Sequence, residues 1–392
     1  MKPLPLLLLL YTLGTAPLCR ALELGAGGGM EGQRRERAAG IAAAMDEKAL
    51  AAQVLLTGLD GNGSLGTAMT DLLRDISPGG VMLFRMNLNM NKERIPAFLK
   101  TVSDLAALNT PLSRGAGNIR IPPFMAVDHE GGQIHRFVAG VERLPSPLSY
   151  WEAARTRDRN TVLRAIEEDA ARSGRELRSL GITMNLAPVA ELLDGENVTF
   201  LEDRSYGPDA AFVEEAAAAF IRGMASSGVA CVAKHFPGNS GTDPHRAGAV
   251  LTEDREALNR RVRPFRGIIT RESPAGIMVS HTIVNARQPG IQASRSPAVI
   301  QTWLRGELGF SGLVLGDDFS MGAISAAGLT EEAAVVEALI AGVDMVMTWP
   351  RSLSRVHRAI LRALQEGRLS RERLEEAATR IIYEKICFGL MD

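Results

Sequence analysis

Eight short aliphatic runs, separated by longer amphipathic segments, constrain this chain more than any other feature. They cover residues 53–58, 80–84, 123–128, 182–188, 229–236, 276–281, 313–317 and 343–348. Each is rich in Val, Ile, Leu or Met and is bounded by Gly, Pro or a polar residue. Uninterrupted apolar runs of this length suit strands of a parallel sheet, where both faces are covered. Between them, residues 95–108, 159–180, 209–227, 253–270, 297–308 and 330–341 read as helices, and 353–365 and 370–388 close the chain. Thr330-Glu331-Glu332 and Ser370-Arg371-Glu372-Arg373 carry helix-start signals. Eight strands alternating with helices predict an α/β fold, a (β/α)8 TIM-type barrel forming a single domain over residues 45–392. An open doubly wound sheet is the alternative. Against it, no GxGxxG follows the early strands and no GxxxxGK[ST] occurs.

Composition removes several functions. The 392 residues carry 44 Lys+Arg against 45 Asp+Glu, a formal net charge of −1, and 46% are hydrophobic. That apolar fraction can bury a large core, which excludes intrinsic disorder. Near-zero charge without a Lys/Arg block leaves no footprint for nucleic acid. Beyond the first segment, no apolar run approaches the ~20 residues that span a bilayer. The three cysteines, Cys19, Cys231 and Cys387, form no CxxC, so zinc ribbons and thioredoxin-like motifs are not expected. Cys231 lies in an apolar run and reads as a buried thiol.

The start of the chain reads as a targeting segment. Lys2 precedes an apolar stretch from Leu4 to Leu18, the n-region and h-region of a secretory signal. Residues 1–21 are therefore expected to be a signal peptide ending at Ala21, or a lipoprotein signal ending before Cys19. In the second case a lipidated Cys19 anchors the protein to a membrane. Residues 22–44 then read as a Gly-rich tether.

In a barrel of this kind, chemistry gathers at the C-terminal ends of the strands. The third run ends at Asp128-His129-Glu130-Gly131-Gly132. The fifth ends at Lys234-His235-Phe236-Pro237-Gly238, followed by Asp243-Pro244-His245. The sixth ends at Ser280-His281 and the seventh at Asp317-Asp318. Five of the six histidines lie at or just after these ends, a concentration that chance placement does not produce.

These residues resemble glycoside hydrolase family 3, and more narrowly its single-domain bacterial β-N-acetylglucosaminidases (β-hexosaminidases). The resemblance rests on Ala233–Gly238 with the later Asp-x-His, on Val127-Asp128-x-Glu130-Gly131-Gly132, and on Gly316-Asp317-Asp318-Phe319-Ser320-Met321. Pro78-Gly79-Gly80-Val81, Leu186-Ala187-Pro188-Val189, Asp203-Arg204-Ser205-Tyr206-Gly207 and Ala341-Gly342-Val343-Asp344-Met345-Val346 support it in the expected order. It implies a retaining enzyme that releases terminal non-reducing β-linked GlcNAc, with muropeptides or other GlcNAc saccharides as partners. It implies no cofactor and no metal, and export to the bacterial periplasm, free or lipid-anchored.

Retention requires a nucleophile on one face of the sugar and an acid/base at the leaving oxygen. The resemblance places the nucleophile at Asp317; a helix-capping or turn role fits Asp318 better. It places the acid/base at His245, oriented by Asp243, on the loop after the fifth strand. A spacing of two lets both side chains point the same way in extended backbone, and the carboxylate fixes the imidazole tautomer and raises its pKa. Sugar binding falls by resemblance to Asp128, Arg136, Arg204, Lys234 and His235, with Glu130-Gly131-Gly132 shaping the turn. His281 is left open between pocket wall and structural histidine, and His129 has no assigned role. The chain departs from the family's pattern where Asp243 comes about two residues early and Pro244 replaces the usual middle Ser. A β-glucosidase or glycoside phosphorylase of the same fold, and a non-catalytic saccharide-binding lipoprotein, are the alternatives.

Overall fold

The structure is a computed structural model, and it describes residues 28–111, 118–242 and 248–391. Eight parallel strands close into a barrel. They are β1 (Leu55–Thr57), β2 (Gly80–Leu83), β3 (Phe124–Val127), β4 (Met184–Asn185), β5 (Ala230–Phe236), β6 (Gly276–Val279), β7 (Leu313–Asp318) and β8 (Met345–Thr348). Each pairs with the next in sequence, and β8 returns to β1 through Leu55↔Val346 and Thr57↔Thr348. Every one of the eight aliphatic runs supplies one strand, and the strands are buried along nearly their whole length, as a sheet covered by helices requires.

The helices start where the sequence signals them. Thr330 accepts from the Ala333 N–H to cap Glu331–Ala341, and Ser370 accepts from Arg373 N to cap Arg371–Cys387. Asp158 and Asp209 cap Arg159–Ser179 and Ala210–Ser226 in the same way. The expected helix over 253–270 divides into Arg255–Arg261 and Arg263–Arg271, with Pro264 at the start of the second. Two small additions were not foreseen: an antiparallel hairpin, Leu108–Pro111 with Asn118–Ile121, and a parallel ladder of Val250–Leu251 with Ile283–Val284.

The tether expected over 22–44 is corrected from Gly28 onward. Gly28–Ala44 is an α-helix against Arg371–Cys387. Ala38, Ile41, Ala42 and Met45 follow the i, i+3, i+4, i+7 spacing of a helix face, and all four are buried. Arg35 lies 4.5 Å from the Tyr383 ring centre, and Arg371 donates to the Met45 carbonyl at 2.6 Å. The glycines of the first turn conceal this stripe. The signal segment, Cys19 and Ala21 lie outside the described residues.

Candidate active site

The C-terminal ends of β3 and β5 form one ionic floor. The Lys234 ammonium, 3% exposed, lies 2.7 Å from Asp128 Oδ1 and 2.7 Å from Glu130 Oε1. Arg136 donates to Asp128 Oδ2 at 2.8 Å. Arg204 grips Glu130 with two parallel bonds of 2.7 and 2.8 Å. Burial alone raises the Glu130 pKa, but the Arg204 and Lys234 charges outweigh it and hold the carboxyl down at about 2. Asp128 shows the same balance: burial raises it, and Lys234 and Arg136 hold it well below the usual carboxylate range. Asp128, Arg136, Arg204 and Lys234, four of the five expected sugar-binding residues, thus belong to one network. Glu130 is a member of it, between Lys234 and Arg204, rather than only a turn former. The turn itself falls to Gly131 at φ +103°, where an added side-chain carbon would meet the Pro145 carbonyl at 2.2 Å.

His235, the fifth, is 7% exposed and points its Nδ1 at Glu191 Oε1, 2.5 Å away. Glu191 also accepts from the Asn239 backbone N–H at 2.6 Å and from the Asn239 amide. One buried carboxylate therefore ties the fifth strand to the loop that leaves it. Asp243 and His245, on that loop, lie outside the described residues. Its flanks are held on both sides: Asn239 by Glu191 and by Thr282 Oγ1 at 3.0 Å, and Val250–Leu251 by the ladder with Ile283–Val284.

Asp317, next to the end of the seventh strand, is 5% exposed. Against β8 the register runs Gly316↔Val346 and then Asp318↔Met347, so Asp317 is an extra residue with no partner across the ladder. Such a bulge re-aims a side chain. The same device occurs in β5, where the register against β6 slips between Ala233 and Phe236, around Lys234 and His235. Asp317 Oδ1 accepts from the Asp318 N–H at 2.8 Å, which orients the carboxylate. Gly316 makes room for Phe319, whose ring would lie 2.5 Å from a side-chain carbon at that position.

A model of the glycosyl hydrolase family 3 N terminal domain matches residues 52–383, and the ionic floor and bulged aspartate fall on its strand ends. The chain belongs to glycoside hydrolase family 3. It is 35% identical over 278 residues to the β-hexosaminidase of Methylococcus capsulatus, covering 69% of this chain and 75% of that protein. Its fold matches a family 3 β-N-acetylglucosaminidase from Paenibacillus at a TM-score of 0.79 and 29% identity. That match covers 88% of this chain and 63% of the other, so the chain spans less than two thirds of that enzyme's length. Mycobacterium tuberculosis LpqI matches at a TM-score of 0.72 and 27% identity, over 88% of this chain and 95% of LpqI.

Within this family 3 barrel the remaining motif residues find their places. His281, left open by the sequence, is structural. It is fully buried, its Nε2 donates to the Asp318 carbonyl at 3.0 Å, and Ser294 Oγ donates to its Nδ1 at 2.7 Å. The carbonyl can only accept, which fixes that tautomer. Burial pushes the ring's pKa down, against the opposing pull of the Asp317 charge, and favours the neutral form. Asp318 accepts from the Ser320 N–H at 2.8 Å and from Trp349 Nε1 at 2.9 Å, the turn-holding part expected of it. Glu191 went unnoticed in the sequence: it follows Leu186-Ala187-Pro188-Val189 by two residues, and no spacing marks it.

Proposed function

We propose that this family 3 enzyme is a retaining β-N-acetylglucosaminidase that releases terminal non-reducing β-linked GlcNAc, with peptidoglycan fragments as its source. The observation that carries the reading is a re-aimed Asp317 at the same barrel mouth as a prebuilt floor of buried charges. Asp128 accepts sugar hydroxyls on the lone pairs that Lys234 and Arg136 leave open, and Arg136 and His235 face the same end. The β-hexosaminidases and β-N-acetylglucosaminidases among its relatives support GlcNAc as the sugar.

In the proposed first step Asp317 attacks C1 and a glycosyl–enzyme ester forms while the glycosidic C1–O bond breaks. His245 gives its proton to the departing oxygen, and Asp243 stabilises the imidazolium before that transfer. In the second step water attacks C1, His245 takes a proton from it, and the Asp317 carboxylate is released. The part of His245 and Asp243 rests on the Asp-x-His motif and on the held flanks of their loop.

The test is hydrolysis of 4-nitrophenyl β-GlcNAc beside the β-glucoside, with and without phosphate, in the parent and in Asp317→Asn. Expected is GlcNAc release that phosphate does not alter, β-configured product at early times by NMR, and loss of turnover in the variant. Turnover of a GlcNAc–anhydromuramyl disaccharide tests the source. Full activity in Asp317→Asn sinks the mechanism. Export and lipidation at Cys19 belong to the same proposal, and the intact mass of the mature protein reads both.

A further inference from the structure

Among the described residues the Asp317 carboxylate receives one hydrogen bond, from the Asp318 N–H at 2.8 Å. The bulge takes Asp317 off the ladder with β8, so strand pairing there does not aim it. Its direction depends instead on how firmly residue 318 is held. Two arms hold it. On one side the buried His281 donates to the Asp318 carbonyl at 3.0 Å, and Ser294 Oγ backs the ring at 2.7 Å. On the other, Trp349 donates its Nε1–H to Asp318 Oδ2 at 2.9 Å, while the Ser320 N–H meets Oδ1 at 2.8 Å.

The Trp349 arm is fixed from three strand ends. Its indole stacks on Phe84, just past β2, with centroids 4.7 Å apart and planes within 17°. Gly58, just past β1, leaves room for it: a side-chain carbon there would come within 3.0 Å of the indole. Its own carbonyl, just past β8, accepts from Ser352 N and Leu353 N at 2.9 Å each, which sets its backbone as the N-cap of Pro350–Gln365. A phenylalanine would fill the stack as well. What tryptophan adds is one N–H, which can only donate, aimed at a carboxylate, which accepts in a charge-assisted bond.

We infer that Trp349 is a positioning residue for the nucleophile: through Asp318 it fixes the peptide whose N–H orients the Asp317 carboxylate. The inference rests on Asp317 being the nucleophile of the proposed glycosidase, and it adds the residues that aim it. A small misplacement of an attacking group costs on the order of tenfold to a hundredfold in rate. The sugar-binding floor lies on β3 and β5, away from this arm, so sugar affinity is expected to stay.

The test measures kcat/KM, the inhibition constant of free GlcNAc and the urea unfolding midpoint in the parent, Trp349→Phe, Asp318→Asn and the double variant. The substrates are 4-nitrophenyl β-GlcNAc and β-GlcNAc fluoride, whose leaving group is too small to contact the indole. Each single variant is expected to lose about tenfold in kcat/KM on both substrates with GlcNAc inhibition unchanged. Trp349→Phe is expected to keep the parent's unfolding midpoint. The double variant is expected to fall no further than the singles, because both remove the same bond. Unchanged kcat/KM in Trp349→Phe, losses that multiply in the double variant, or a loss confined to the nitrophenyl glycoside overturns the positioning role. No turnover by the parent, or full turnover in Asp317→Asn, overturns the glycosidase reading instead, so the two failures are distinct.

Discussion

Among the described residues two lysines are buried, one at each end of the barrel, and one of them is met by opposite charge. Lys234 at the mouth sits between Asp128 and Glu130. Lys385, on the helix Arg371–Cys387, is fully buried below the barrel, donates to the Gln53 side chain at 2.9 Å and lies 5.5 Å from the Phe124 ring centre. Burial pushes its pKa down from 10.5 to about 7. Equal burial therefore meets two different surroundings: carboxylates flank Lys234, whereas an amide and an aromatic ring face Lys385.

Lys234→Met is expected to break this contrast most heavily. It takes the shared cation from two buried carboxylates, each left with one arginine, and costs about 3 kcal/mol, read by urea unfolding, along with turnover. Asp317→Asn sharpens the contrast within the mouth itself. Turnover falls by at least about a thousandfold, yet the unfolding midpoint stays in place, because Asn Oδ1 can still accept from Asp318 N. Equal destabilisation in both variants would merge the binding and reacting parts that the structure separates.

The opposite end yields a pH signature. The unfolded chain keeps the lysine proton up to about 10.5, whereas the folded chain gives up that of Lys385 near 7. Between those values the unfolded state binds more protons, so stability rises with pH by up to about 1.4 kcal/mol per unit. The contribution is complete above 10.5 and is lost as pH falls through 7. Lys385→Met is expected to flatten that slope in urea midpoints taken from pH 7 to 10, and to be neutral or stabilising at pH 7. The same slope in parent and variant would remove the contrast.

The strands were legible because a doubly covered sheet forces continuous aliphatic runs. Asp128, Lys234, His235 and Asp317 were legible because strand ends are where a barrel exposes polar groups. The rest depends on contacts that sequence does not encode locally. The bulge at Asp317 arises from its register against β8, Glu191 matters only through His235 and Asn239 some 44 and 48 residues on, and Glu130 takes its role from Arg204. The Gly28–Ala44 helix was hidden for a different reason: glycines that weaken a helix start masked an apolar stripe that the last helix completes.

Glu191 offers a smaller break. Glu191→Gln keeps an acceptor for the Asn239 N–H but removes the charge beside His235. Loss of that bond is expected to raise KM for the GlcNAc glycoside about tenfold, with kcat little changed. A purely structural part would lower stability and leave KM where it is.

The smallest effect is expected at the mouth, at His129. It sits between Asp128 and Glu130 in the chain, yet it faces away from their floor, fully buried against the His135 and Phe137 rings at 5.2 and 5.7 Å. Among the described residues neither of its ring nitrogens has a hydrogen-bond partner. Burial first, then the neighbouring His135, pushes its pKa from 6.5 down to about 3. The unfolded chain therefore takes up this proton at 6.5 and the folded chain only near 3, so the histidine's contribution is complete above 6.5 and is lost as pH falls toward 3. An apolar ring of similar shape has no such proton to take and no unsatisfied nitrogens to bury. His129→Phe should thus match or exceed the parent's stability at pH 7 by about 1 kcal/mol, and the gap in its favour should widen on acidification to pH 4. Equal decline of both proteins with pH would mean that the acid sensitivity of this end resides in its carboxylates, of which Glu130 is held down at about 2.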